Sequence, residues 1–166
     1  MFIRDIELDE LPKEIGSLTN LTSVIIRNSL LTRLPDEFAN LINLHELKVA
    51  ENKFTEFPKQ ILSLPNLTQV SFEKNQITEI PYEICELTKL EKLYMQNNHL
   101  RTLPLELGDL KKLQTLDVGH NTLDLMSEKN IGRYENLQFL TIPKSSVKIF
   151  GPLLKNFNNL KELIIS

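Results

Sequence analysis

The chain can make almost no covalent cross-links: a single cysteine, Cys85, among 166 residues excludes an intrachain disulfide. That fits a reducing, cytoplasmic setting, and equally an exported bacterial protein built without disulfides. No stretch approaches the ~18 consecutive apolar residues that a membrane span needs. The opening MFIRDIELDE has no basic region followed by a long apolar run, so no secretory signal is visible, although one removed earlier stays open. Charge of one sign is also lacking. The net charge of −3 and a pI near 5.7 leave no basic stripe of the kind nucleic-acid binding requires. A phosphate loop, H-E-x-x-H and Cys-x-x-Cys are all missing. With 41% hydrophobic and 25% charged residues, the chain has the composition of a folded domain rather than a disordered one.

The dominant positive signal is internal repetition. A template L-x-x-L-x-L-x-x-N-x-L, its positions numbered one to eleven, fits from Leu21, Leu44, Leu67, Leu90, Leu113 and Leu137, with a truncated copy at Leu160 and a partial one before them all. The starts lie 23 residues apart, except for 24 between Leu113 and Leu137. Each second half carries an L-P-like pair (Leu11-Pro12, Leu34-Pro35, Phe57-Pro58, Ile80-Pro81, Leu103-Pro104), followed by two apolar residues three apart, such as Ile61 and Leu64.

This pattern resembles the leucine-rich-repeat family over the whole chain. Its L-P-x-x-I-x-x-L half is similar to the subclass of Ras-group intracellular scaffolds and small bacterial repeat proteins. The resemblance implies an α/β solenoid, a right-handed coil with a concave parallel sheet of about eight short strands. Its convex side would carry loops and 3-10 or short helical turns. Residues 1–166 then form one domain of about seven repeats, with partial units at both ends and no distinct cap. Family members mostly bind proteins, so the resemblance also implies a protein partner and no enzymatic activity.

Positions four and six alternate with polar neighbours, the period of a strand with one buried face. Such strands are too short to bury that face alone, and stacking repeats supplies a shared core. Asn52, Asn75, Asn98 and Asn121 occupy the turn after the strand, where an inward amide can bond backbone groups the turn leaves unpaired. Ser29 and Ser145 take that place in two outer units, and Ile6 in the first copy. Phe38, Phe54, Phe57, Phe72, Phe150 and Phe157 fall on core positions. The unit from Leu113 reads LDLMSEKNIGRYENL and lacks its L-P pair. Met126, Ile131 and Tyr134 would fill the core there around a convex bulge or docking loop.

Positions three and five, flanked by seven and eight, have no core duty and would line the concave face. Ile25, Lys48, Ser71, Tyr94 and Asp117 fall at position five, Glu46, Lys92 and Phe139 at position three, and His120 at position eight; these are the candidate partner-binding residues. The four columns hold six basic and six acidic residues, a balance that disfavours nucleic acid and permits a protein. Phe2, Ile25, Phe139, Ile164 and Tyr94 are the apolar exceptions, and aromatic anchors often dominate binding energy.

His45, His99 and His120 share no column, so no metal or cofactor is expected, although His99, His120 and Asp117 lie in adjacent units. Cys85 matches a slot held elsewhere by Gly16, Ala39, Leu62 and Gly108, the setting of an inert thiol. Asn20-Leu21-Thr22 and Asn66-Leu67-Thr68 match glycosylation sequons, but the template itself generates N-L-T. Three functions remain open. One is a concave-face protein binder, of the bacterial adhesion or effector type. Another is a structural protein that self-associates through uncapped sheet edges. The third is an intracellular signalling scaffold.

Overall fold

The computed structural model describes residues 1–125 and 134–166. Eight short strands, β1 (Phe2–Arg4), β2 (Ser23–Arg27), β3 (Glu46–Ala50), β4 (Gln69–Ser71), β5 (Lys92–Tyr94), β6 (Thr115–Asp117), β7 (Phe139–Ile142) and β8 (Glu162–Ile165), form one parallel sheet in chain order. The register follows the repeat: Ile25 pairs with Lys48, Lys48 with Ser71, Ser71 with Tyr94 and Tyr94 with Asp117. The 24-residue step is absorbed outside the sheet, because Thr115 still meets Phe139 in register.

Alternation within each strand sets what is inside. Val24 and Ile26 are fully buried while Ser23, Ile25 and Arg27 stay partly exposed, and the same holds for Leu47 and Val49 in β3. These side chains join one continuous core from Leu11 to Phe157. All six phenylalanines expected inside are buried. Phe72 sits at the centre of an aromatic cluster, its ring 5.5 Å from both Phe54 and Phe57. Edge-to-face contacts of this kind add about 0.5–1.5 kcal/mol to simple burial.

The convex return is built from 3-10 segments, Lys13–Ser17, Asp36–Asn40, Lys59–Ser63, Tyr82–Glu86 and Leu105–Asp109, each preceded by proline. Proline fixes φ near −66° to −72° at the residue before each turn, and its carbonyl accepts the N–H three residues on, as Pro35 does from Phe38. Adjacent returns approach closely. A Cβ on Gly16 would lie 2.5 Å from the Glu37 carbonyl oxygen, which accounts for glycine at that place. Cys85, in the same slot, is half-buried, and burial pushes its thiol up, as expected of an unreactive cysteine.

The asparagine ladder is present in the four units predicted to hold it. Asn98 accepts the Ile77 N–H at 2.9 Å and donates to the Phe72 and Met95 carbonyls at 2.8 and 3.0 Å. Asn52, Asn75 and Asn121 repeat the arrangement, each reaching one repeat back. The outer units differ in a way the template did not anticipate. Ser29 is buried, and its hydroxyl bonds within its own unit, to the Arg27 carbonyl at 3.4 Å, while its backbone N–H donates to the Glu51 carbonyl at 3.2 Å. Ser145 is exposed, correcting its assignment to the ladder column; the buried residue is Ser146. Pro143 and a helical run replace the turn there: a 3-10 turn at Lys144–Ser146, α1 (Val147–Phe150), then a second 3-10 segment at Gly151–Asn156. Without that turn no inward amide is needed. Tyr134 is buried and stacks on Phe157 at 5.7 Å, while Met126, Ile131 and the convex bulge or docking loop lie outside the described residues.

Candidate concave-face site

The parallel register turns template columns into rows across the inner face. Position-five side chains run from Ile25 through Lys48, Ser71 and Tyr94 to Asp117 along directly paired strand residues. Glu46, Lys92 and Phe139 lie on the parallel position-three row. Eight of the nine predicted residues therefore lie on one face of the sheet, with His120 in the turn that follows β6, and their exposure is uneven. Lys92, Phe139 and His120 are exposed; Ile25, Lys48, Glu46, Tyr94 and Asp117 are half-buried; Ser71 is buried at 4%. Ser71 is thus floor rather than wall, as is Ala50 beside it. Together with Arg27, Lys48, Tyr94 and Asp117 they outline a depression of about 330 Å³.

Most charges on this surface are already matched. Lys48 Nζ is 2.6 Å from Glu46, which also accepts from Ser23 Oγ at 2.6 Å; these two donors hold the Glu46 carboxyl below its ordinary value. Arg27 reaches Glu73 at 2.7 Å and Glu51 at 3.7 Å, and Lys74 contacts Glu51 at 3.3 Å. Gln96 Nε2 donates to Glu73 at 2.7 Å. Asp117 differs. Among the described residues no cation lies within ion-pair distance of it, and Gly119 donates its N–H to Oδ1 at 3.0 Å. Burial pushes its carboxyl up, opposed by the Gly119 bond; Glu73 raises it further and His120 lowers it. Tyr94 next to it is also pushed up, chiefly by burial.

Two features of the surface were missed from the sequence. Position eight is left-handed in six consecutive units: Asp5, Asn28, Glu51, Lys74, Asn97 and His120 all have φ between 50° and 56°. The column is therefore set by the turn, whatever else it carries. Asn and Asp in three of its six places were the available signal. A second asparagine row lies where the chain enters four of the strands: Asn43, Asn66, Asn136 and Asn159 donate to the carbonyls of Thr19, Ile42, Lys111 and Glu135 at 2.6–2.9 Å. This bonding explains the recurrent Asn-Leu pair behind the N-L-T sequences. His45, His99 and His120 are each exposed, and among the described residues no three metal-ligating side chains converge.

Family models of the leucine-rich repeat match residues 42–100, and a two-copy repeat model matches residues 88–128; together they span just over half of the sequence. The chain belongs to the leucine-rich-repeat family. No curated protein matches it. Among solved structures, a leucine-rich-repeat protein of Leptospira interrogans is 29% identical with a TM-score of 0.64, covering 96% of this chain and 48% of its own. An internalin from Listeria monocytogenes is 23% identical with a TM-score of 0.62, covering 79% of this chain and 37% of its own. The leucine-rich-repeat domain of the type III effector XopL is 20% identical with a TM-score of 0.74, covering 99% of this chain and 67% of its own. The last two likenesses establish the fold alone. This repeat chain spans about half the length of the Leptospira protein. Leucine-rich-repeat domains generally mediate protein–protein interaction and are typically not enzymes. Among the described residues no helix is long and apolar enough to cross a membrane.

Proposed function

We propose that this chain holds a protein partner against its concave sheet, with Tyr94, Phe139 and Lys92 as principal contacts and Lys48, Glu46, Asp117, Ile25 and His120 around them. One observation carries the reading. Phe139 is 40% exposed in the interior of an eight-stranded sheet, in register with neighbours on both sides. The core has no use for a side chain there, and a large apolar group facing water gains nothing in the free protein. A bound partner that removed this ring from water would recover about 1.5–3 kcal/mol. The wide, shallow surface favours a protein over a small substrate, which needs enclosure. The proposed binder is of the bacterial adhesion or effector type, and the Leptospira leucine-rich-repeat protein, at 29% identity, is a bacterial neighbour in keeping with a bacterial setting.

The test is partner capture by the intact chain compared with Phe139→Ala, Tyr94→Ala and Lys92→Glu variants. Capture should fall at least about tenfold for the aromatic variants, as for interface anchors. The stability of Phe139→Ala should stay within about 0.5 kcal/mol of the parent, as for other surface changes. Undiminished capture by all three variants overturns the proposal.

A further inference from the structure

The concave depression has a chemistry that narrows what enters it. Its resident cations are committed: Arg27 to Glu73 and Glu51, Lys48 to Glu46. Its carboxylates are matched in turn, except Asp117. The reason is local. At position seven, where other units carry Arg4, Arg27 or Gln96, the Asp117 unit has Gly119. A Cβ at that glycine would lie 2.5 Å from Ser166 Oγ, 2.9 Å from Thr141 Cγ2 and 3.2 Å from Asp117 Oδ1, so a larger residue there would have to displace these side chains, and the glycine itself offers the carboxylate only its N–H. One carboxylate oxygen takes the Gly119 N–H, and among the described residues no bond engages the other.

Directly across the strand pairing stands Tyr94, whose half-buried ring borders the same depression. On the adjoining wall, Gln96 turns its amide nitrogen to Glu73, because a carboxylate can only accept. That choice leaves Gln96 Oε1 shut off from water with no donor. A half-buried anion without a cation and a shielded acceptor without a donor both disfavour the free protein. A planar cation with several N–H groups would answer both, once the side chains over Gln96 shift to admit it.

We propose that the depression between Tyr94 and Asp117 is a subsite for an arginine side chain of the protein partner. Its guanidinium would bond the open oxygen of Asp117 and lie against the Tyr94 ring. Arginine suits the site better than lysine: its fork matches a carboxylate and its flat face stacks on an aromatic ring. Ser71 and Ala50 keep the floor low enough for the side chain to enter. The inference rests on the concave-face reading and names the chemistry of one contact within it.

The experiment titrates the intact chain with the blocked tripeptide acetyl-Gly-Arg-Gly-amide and with its citrulline analogue, which keeps the shape and removes the charge. Backbone amide chemical shifts report binding. Saturable shifts are expected at Tyr94, Asp117 and Gly119, with the citrulline peptide at least about fivefold weaker. Asp117→Asn should weaken the arginine peptide by a similar factor, while Glu56→Gln on the convex side should leave its affinity unchanged. Equal affinity for both peptides, no saturable shift, or an unaffected Asp117→Asn variant overturns the subsite. That failure is separable from failure of the wider reading. Partner capture that still depends on Phe139 leaves the concave-face proposal standing, whereas capture independent of Phe139 removes it whatever the peptides do.

Discussion

The four central units and the unit that follows them solve one problem in two ways. From Leu44 to Asn121 the chain leaves each strand through a tight turn, with a left-handed residue at position eight and an inward asparagine at position nine. From Leu137 it leaves through Pro143 into helical turns, with no left-handed residue and no inward amide. The sheet passes through both without a change of register. Strand pairing and core burial therefore hold the solenoid together, and the turn is interchangeable provided that its polar groups find partners.

Single substitutions would break or sharpen this contrast. The largest effect should come from Asn98→Ala, which leaves the buried Ile77 N–H without its acceptor and takes one of two amide donors from each of the Phe72 and Met95 carbonyls, and costs about 3 kcal/mol in denaturant unfolding. The matched change Ser145→Ala, on an exposed residue, should stay within about 0.5 kcal/mol. If the two were equal, the ladder would not distinguish the regions. Next, Ser146→Ala should stabilise the chain by about 1 kcal/mol, because the Ser146 hydroxyl is buried without a partner among the described residues.

A smaller gain, about 0.5 kcal/mol, is expected from Lys74→Asn, which places a tolerant residue at φ 53°. Its pairing with Glu51 is exposed and offsets little. A loss in thermal melting would show that the turn carries no strain. The smallest effect concerns Asp117. Its folded-state carboxyl titrates above the unfolded one, so the native state binds more protons, and stability declines as pH rises through the interval between the two values. Asp117→Asn should therefore melt slightly higher than the parent at pH 7, by under about 1 kcal/mol after solvent screening, and the gain should vanish in acid. Glu73, His120 and Tyr94 face the same group, so the comparison is best repeated with His120→Gln to separate the imidazole contribution. A gain of equal size at both pH values would assign the effect to packing rather than charge.

The legible part of this molecule was the part that repeats. Leu47, Val70, Leu93 and Leu116 recur because each must fill the same space under the same strand, and Asn52 through Asn121 because each closes the same turn. Phe139 stood out as a large ring in a column with no core duty, and it is indeed exposed. Ser145 was misplaced because the template was extended into a unit that had exchanged its turn for a helix, and spacing does not reveal the exchange. The role of position eight was hidden behind Glu51 and Lys74, which adopt a left-handed turn that their residue types do not advertise.

By itself the sequence determined the solenoid, since a 23-residue period of apolar side chains can bury itself only by stacking on its own copies. It also determined which columns face inward, because alternation within a strand leaves two faces and one is claimed by the core. Which charges on the concave face satisfy each other was decided only by tertiary structure. Arg27 and Glu73 are 46 residues apart and meet across an intervening strand, while Asp117, beside Gly119 at position seven, has no cation within ion-pair distance among the described residues. Pairing of side chains depends on distances of a few ångströms between separate repeats, and a one-dimensional pattern does not carry them.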